Sequence, residues 1–392
     1  MKSILIKNVF FENRKRNILI EKGRFKSLDA ADGAVARLVI DATGKAILPA
    51  LYNTHTHTPM TLLRGYADDM PLERWLTNYV WPYENNMTDD DFGRGSNLAA
   101  KEMVSSGTVF FNEMYFGIHK SVDAAVVSGM RAAIGLSVLG GHKHTLSADM
   151  IEAMEDLKDP TGGRICFTVA PHSVYTVSPE EIKKCAQVAR RKGLRIHIHC
   201  AETKTEVANC VRDYGMRPVE LLDSLGVLGP DVILAHCVQV TEKEVDILAE
   251  RQAVISHCPC SNMKLGSGRF PYELMIKAGC RITLGTDGAS SGNNLDLREA
   301  MKFAALLAKS AGDPVLLPAE QIFDWATRAG AEAFGIDAGE IRVGKLADCL
   351  LVDLGNVRMQ PCYNLISNFV YSADSSCIDT VICDGNIIYN RI

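Results

Sequence analysis

Short runs rich in β-branched residues alternate with amphipathic helical patterns through the middle of this chain, and no other feature limits its fold as much. "GTVFFNEMY", "RICFTVAPH", "LRIHIHCAE", "DVILAHC", "AVISHCP" and "RITLGTDG" each read as a buried strand. Between two of them, "SPEEIKKCAQVARRKG" opens with Ser178 as an N-cap, places Glu181 three residues on and stops at Gly193. Repeated β-α units over roughly 300 residues call for parallel strands with helices outside, most simply a (β/α)8 TIM barrel.

The two ends read differently. Residues 1–48 hold short strands and turns, "SILIKNVFFE", "NILIEKGRFKSL" and "RLVIDATGKAI"; residues 344–392 do the same with "GKLADCLLVDL" and "DTVICDGNIIYN". Neither end has enough strands to make a stable sheet alone. The expectation is a small β-sandwich from 1–48 plus 344–392, flanking a barrel over 49–343. The opening "MKSILIKNVFFENRKRN" carries Lys7 early and has no small-residue cleavage site, so it reads as a strand rather than a leader.

Composition narrows the function classes. With 47% hydrophobic and 23% charged residues the chain is an ordinary globular protein, and its net charge of −5 gives no reason to expect nucleic acid or a membrane surface as a partner. No apolar run approaches the ~18 residues of a membrane span. The 12 cysteines, among them Cys166, Cys280, Cys349, Cys377 and Cys383, are scattered through apolar context. That suits buried thiols in a reducing, cytoplasmic setting rather than a disulfide scaffold. Cys258 and Cys260 form a lone C-x-C, and "SNM" follows Cys260 where a paired-cysteine zinc site would place another cysteine, so these two read as structural.

The chemistry-bearing residues gather where strands end. "NTHTHTPM" sets His55 and His57 two positions apart after the apolar "KAILPALY", and side chains at i and i+2 of a strand share a face. "VAPHSVYT" supplies His172, "RIHIHCAET" His197, His199 and Glu202, "ILAHCVQ" His236, "VISHCP" His257 and "TLGTDGASS" Asp287. A barrel brings its strand ends to one face, where barrel enzymes hold their sites, and His and Asp are seldom buried without partners. A single member, His197 or His257, is as well suited to orienting a ligand as to being one. Three histidines and a carboxylate make a donor set for Zn2+ or Fe2+. Such a metal lowers the pKa of bound water from ~15.7 towards ~7. One acid must take that proton and another deliver one to the leaving group; Asp287 and Glu202 supply the two carboxylates.

Taken together, "NTHTHTPMTLLRGYADDMPLERWL", "PHSVYT", "HIHCAET", "AHCV", "SHCPCSNMKLGSG" and "GTDGASSGNNLDL" resemble the amidohydrolase superfamily. Within it the nearest branch is the methylthioadenosine/S-adenosylhomocysteine deaminases with related chlorohydrolases. The resemblance runs over nearly the whole chain, "GKLADCLLVD" included. It implies one divalent metal, Zn2+ before Fe2+, held by His55, His57, His199 and Asp287. It implies that Glu202 passes a proton to a purine ring, that His236 polarises the attacking water and that His172 touches the base. It also implies that Glu84, in "WPYENN", binds ribose hydroxyls; a lone Glu there would otherwise be an ordinary surface acid. No lysine suited to carboxylation lies between the metal motifs, which favours one metal over two.

There is one departure from the pattern. Members that take S-adenosylhomocysteine carry arginines for its carboxylate shortly after "GMRA". Here the stretch is "GMRAAIGLSVLGGHKHTLSAD", without an arginine after Arg131, and Lys143 lacks the bidentate fork. The His142–Lys143–His144 run reads as a solvated loop. The expected activity is hydrolytic deamination of an adenosine-like nucleoside with a compact 5′ group, releasing ammonia: methylthioadenosine, 5′-deoxyadenosine or adenosine before S-adenosylhomocysteine. The expected partners are that small molecule and further copies of the chain. Two readings compete. A base-only heterocycle (pterin, guanine-type or triazine) would use the same site, although the triazine dechlorinases tend to lack the matching Glu and His pair that Glu202 and His236 supply. A non-catalytic assembly module is the other, although such proteins typically lose metal ligands.

Overall fold

The chain begins with five short strands: β1 (Ser3–Phe11), β2 (Arg14–Glu21), β3 (Arg24–Ser27), β4 (Leu38–Asp41) and β5 (Lys45–Pro49). The structure, a computed structural model, describes residues 3–155 and 157–391. Met1, Lys2, Asp156 and Ile392 lie outside the described residues, and with them the outermost positions of the expected terminal segments. Eight parallel strands follow: β6 (Leu51–Thr56), β7 (Thr108–Glu113), β8 (Arg131–Val138), β9 (Ile165–Pro171), β10 (Arg195–Cys200), β11 (Val232–His236), β12 (Val254–His257) and β13 (Arg281–Leu284). The chain closes with β14 (Cys349–Asp353), β15 (Ile378–Cys383) and β16 (Asn386–Asn390).

The eight middle strands pair in sequence order, as right-handed β-α-β units require. The sheet is nearly closed. Across its seam Thr54 Oγ1 donates to the Leu284 carbonyl at 2.9 Å and Asp287 N donates to the His55 carbonyl at 3.1 Å. The helices lie outside as the sequence predicts. On the helix Pro179–Arg191 the Ser178 hydroxyl caps Glu181 N, and Ile182, Cys185 and Ala189 face the barrel core. No helix of the described residues is long and apolar enough to cross a membrane.

The first and last strands join in one mixed sheet, ordered β16-β15-β14-β5-β1-β2-β3, with β4 also on β1. Alternation along its strands explains how it sits. Ile47, Cys349, Leu351 and Ile382 face a small core shared with Ile6, Ile18 and Phe25. Their neighbours Leu48, Leu350, Val352, Val381 and Cys383 belong to the barrel's core. A buried polar cluster pins the two parts. Arg131 Nε, at the start of β8, donates to Asp348 Oδ2 at 2.8 Å, and its Nη2 reaches Asp384 Oδ1 at 2.9 Å. The Tyr52 hydroxyl and Asp384 N donate to Asp348 at 2.5 and 2.6 Å. Arg131 therefore belongs to the base of the barrel, far from the strand ends that carry the histidines. All 12 cysteines are free. Cys349, Cys377 and Cys383 are buried as expected, but Cys166 is exposed, because the second residue of β9 points outward.

A helical segment covers the barrel mouth. It runs as Leu72–Trp75, a π-turn Leu76–Val80 and Trp81–Glu84. Pro82 has no N–H to continue a regular ladder, and the wider turn just before it, with Trp81 N bonded to the Leu76 carbonyl, absorbs the mismatch. The segment buries Trp75, Leu76 and Val80 against Met60, Phe92, Phe116 and Leu139.

Candidate active site

His55 stands near the end of β6 with His57 just past it, His172 follows β9, His199 is near the end of β10 with Glu202 beyond, β11 ends on His236, and Asp287 follows β13. Of these, all but the deeper His55 line one cavity, which encloses about 670 Å3 of empty space, open water at its mouth included. The cover adds Leu72, Trp75, Leu76, Trp81 and Glu84 to its wall. His236 and Asp287 have left-handed backbones, with φ of 75° and 63°. Residues other than glycine avoid that region, and such strain clusters at functional sites. Gly285 is needed beside them: a Cβ there would lie 2.8 Å from His55 Cβ and from Ser256 Oγ.

The histidine tautomers follow from their outer partners. His57 Nδ1 lies 2.5 Å from the Met114 carbonyl, and His199 Nδ1 lies 2.8 Å from the His172 carbonyl. A carbonyl only accepts, so both rings carry their proton on Nδ1 and turn a bare Nε2 inward. Those two Nε2 atoms stand 3.4 Å apart, and Asp287 Oδ1 lies 3.1 Å from His57 Nε2. His55 Nδ1 faces His197 Nε2 at 2.9 Å, and its inward Nε2 has no hydrogen-bond partner although fully buried. Asp287 is itself held: Ser261 and Ser291 hydroxyls donate to Oδ2 at 2.6 and 2.9 Å, and Gly288 N to Oδ1 at 2.8 Å.

Converging lone pairs and a carboxylate repel one another unless a positive charge sits among them. Burial lowers the pKa of His57, but the hydrogen bond and charge of Asp287 outweigh it and carry it up to about 9. The cluster thus draws in a proton when nothing else answers the demand. A divalent metal ion answers it better. The inward atoms of His55, His57 and His199 lie within 4.8 Å of one another, as do those of His55, His236 and Asp287. The donor set, all N and O with hydrogen-bonded outer faces, fits such an ion.

Glu202 stands beside this group without a strong partner. Its Oε1 accepts from Ser267 Oγ at a long 3.4 Å, and its Oε2 lies 3.8 Å from His236 Nε2. Burial, with the nearby Asp287 charge, pushes its carboxyl up to about 8, so it keeps a proton at neutral pH. Asn262 Nδ2 donates to His236 Nδ1 at 3.0 Å, which places that ring's proton on Nε2, facing the cavity. His172 Nδ1 is tied to Thr176 Oγ1 at 2.8 Å, leaving Nε2 for the cavity. Glu84 is buried, not a surface acid; the Tyr115 hydroxyl donates to its Oε1 at 2.7 Å.

Two histidines left open by the sequence take supporting places. His197 lies beneath His55, and His257 stacks on Phe270 and bonds the Tyr272 hydroxyl at 2.8 Å, away from the cavity. The solvated reading of the His142–Lys143–His144 loop is corrected. Lys143 is exposed, but His142 is buried against Phe116, whose ring stacks on it at 4.1 Å. Sequence reasoning also passed over Glu113 and Tyr115, although both stand where β7 ends and the strand-end rule applies to them. Ser261, Asn262 and Ser291 carry no pattern that marks them.

The amidohydrolase family profile matches residues 46–388. The 5′-deoxyadenosine deaminase of Methanothermobacter thermautotrophicus is 44% identical over 381 residues, 96% of this chain and 89% of that protein. The 5-methylthioadenosine/S-adenosylhomocysteine deaminase 1 of Archaeoglobus fulgidus is 43% identical over 354 residues, 90% of this chain and 84% of that protein. Among solved structures, an adenosine deaminase from Xanthomonas campestris with bound zinc superposes with a TM-score of 0.91 at 33% identity, covering 98% of this chain and 92% of that one. Fold, strand-end donors and likeness over almost the full length agree, and the chain belongs to the amidohydrolase family.

Proposed function

We propose that the site is a single-metal centre that hydrolytically deaminates an adenosine-like nucleoside bearing a compact, neutral 5′ group. His55, His57, His199 and Asp287 are its metal ligands and Zn2+ is its ion. The observation that carries this reading is the inward convergence of bare Nε2 atoms on Asp287 beside a carboxyl, Glu202, that stays protonated. When bound, the metal supplies the Lewis acidity that activates a water.

The protein's own groups do the rest. Asp287 takes the proton of the attacking water. His236 Nε2–H orients that water. Glu202 delivers its proton to the purine ring, the proton taken by Asp287 passes to the C6 amino group, which leaves as ammonia, and Glu202 recovers a proton as the C6 hydroxyl becomes a carbonyl. His172 Nε2 meets the base, and Glu84 accepts the ribose hydroxyls. The covering segment excludes bulk water with Leu72, Trp75, Leu76 and Trp81. No lysine or arginine is among the described residues lining the cavity, which leaves a carboxylate-bearing 5′ group without a counter-ion there. The relatives, one named for 5′-deoxyadenosine and the other for methylthioadenosine and S-adenosylhomocysteine, support an adenosine-like nucleoside as substrate.

Ammonia release across adenine, adenosine, 5′-deoxyadenosine, methylthioadenosine, S-adenosylhomocysteine and a pterin tests the reading. 5′-Deoxyadenosine or methylthioadenosine should have the highest kcat/KM, with S-adenosylhomocysteine and adenine well below. Glu84→Ala should erase the advantage of nucleosides over adenine. Adenine or a pterin outrunning every nucleoside would overturn the reading in favour of a base-only substrate.

A further inference from the structure

His142 is the one buried histidine near the cavity that neither the metal cluster nor the proton transfers use. Its ring lies parallel to Phe116, with centroids 4.1 Å apart and planes within 2°. Its Nδ1 accepts from His144 N at 3.3 Å. Burial holds its pKa down to about 4, so the ring is neutral and its single proton sits on Nε2. That Nε2 is buried with no hydrogen-bond partner, and it lies 3.7 Å from Glu84 Oε2. The distance is longer than a direct bond yet far short of the roughly 5.5 Å that a bridging water spans. The loop is also fastened to the segment it faces: Lys143 N donates to Asn85 Oδ1 at 3.3 Å, one residue past Glu84.

Glu84 therefore has a donor for each oxygen. The Tyr115 hydroxyl already holds Oε1 at 2.7 Å; the His142 Nε2–H is the donor beside Oε2. We propose that His142 is a positioning residue for Glu84, whose Nε2–H fixes Oε2 so that the carboxylate turns its free lone pairs toward the two hydroxyls of a cis-diol. A movement of a few tenths of an ångström as a ribose engages Glu84 closes the 3.7 Å gap to bonding distance. The Phe116 stack keeps the imidazole from following the carboxylate. This inference rests on the nucleoside reading of the site, and it makes discrimination for the ribose diol a property of three residues, Glu84, Tyr115 and His142.

The test compares adenosine with 2′,3′-dideoxyadenosine in the metal-loaded enzyme, together with direct binding of inosine and 2′,3′-dideoxyinosine by calorimetry. His142→Phe keeps the ring stack and removes only the donor. It should raise KM for adenosine and Kd for inosine about tenfold, leave kcat within about twofold and leave both dideoxy compounds unchanged. His142→Gln, which restores an N–H near the Nε2 position, should recover most of the loss. In a Glu84→Ala background, His142→Phe should have no further effect. Equal losses for adenosine and its dideoxy counterpart, or no loss for either, would overturn the proposal. If the wild type itself fails to prefer adenosine over the dideoxy compound, the nucleoside reading falls. If it prefers adenosine through Glu84 alone, only the role of His142 falls.

Discussion

Two buried charged clusters sit at opposite ends of the barrel, and they differ in how their polar atoms are answered. At the base, Asp348 accepts from Arg131, Tyr52 and Asp384 N, with each donor meeting a lone pair. At the mouth, Nε2 atoms of His57 and His199 face each other across 3.4 Å, His55 Nε2 makes no hydrogen bond and lies 3.4 Å from Asp287 Oδ1, and burial with the Asp287 charge keeps a proton on Glu202. A satisfied cluster specifies how the parts fit. An unsatisfied one at the same depth is costly to the empty protein and is held by the surrounding fold. The contrast separates the structural cluster from the chemical one without reference to residue type.

The largest expected effect breaks the mouth alone. Removing the metal with a chelator should take ammonia release to background, and about one Zn or Fe per chain should restore it, by elemental analysis. The base cluster should be untouched, so the metal-free chain should keep its far-ultraviolet circular dichroism. A stoichiometry near two would overturn the single-metal centre. Next, Glu202→Gln keeps the shape but has no proton to deliver: kcat should fall about 10²–10⁴-fold with metal still bound. Unchanged turnover removes Glu202 from the chemistry.

The base answers in stability rather than rate. Asp348→Ala takes from Arg131 its fully buried carboxylate, leaves it only the half-exposed Asp384 and strips Tyr52 and Asp384 N of their acceptor, and should cost about 3–5 kcal/mol in denaturant unfolding, with kcat of the folded protein unchanged. Replacing both partners with apolar residues of similar volume should recover most of that loss. A drop in kcat with stability intact would undo the division of labour between the two ends. The smallest effect is in pH. A carboxyl whose pKa rises on folding contributes fully below its ordinary value of 4.5 and loses that contribution as pH climbs through the folded value, about 8 for Glu202. His57, raised to about 9, and Glu84, Glu113 and the buried Glu206, which accepts from Glu202 N at 2.7 Å, all three raised to about 7, act with the same sign. Buried histidines whose pKa is lowered, among them His55, His142 and His172, act with the opposite sign below their ordinary 6.5, so metal-free protein should lose stability as pH rises from 6.5 to about 8, and Glu202→Gln should flatten that fall by up to one bound proton. Equal slopes in the two proteins would contradict the buried, protonated Glu202.

The strand-end histidines were readable because a parallel barrel converts a sequence rule, the last polar residue of each strand, into one face of the molecule. The joining of both chain ends in one β unit was readable for a similar reason, since neither end had strands enough alone; the expected form is a β-sandwich, whereas the strands order as one mixed sheet. What stayed hidden depends on contacts between distant segments. "GGHKHT" has the composition of a solvated loop, and only Phe116, on a different β-α unit, buries His142. Arg131 looked like the last arginine before a missing recognition site, yet its partner Asp348 lies 217 residues away at the base. Ser261 orients Asp287 from the short helix Pro259–Lys264 and Ser291 from a turn, neither long enough to show a periodicity that would mark its serine.

The pairing of β5 with β14 also sets an order of events during synthesis. β5 runs directly into β6, the strand that carries His55 and His57, and its antiparallel neighbour β14 is made 300 residues later, counting from Pro49 to its partner Cys349. At translation speeds of roughly 5–20 residues per second, the leading strand waits about 15–60 s for its mate. The Tyr52 hydroxyl, three positions before His55, waits for Asp348 over nearly the same interval. β6 itself pairs with β7 long before then, so the strand of His55 and His57 joins the barrel early, while the joint between the barrel and the terminal sheet at its foot closes only once the last strands are made.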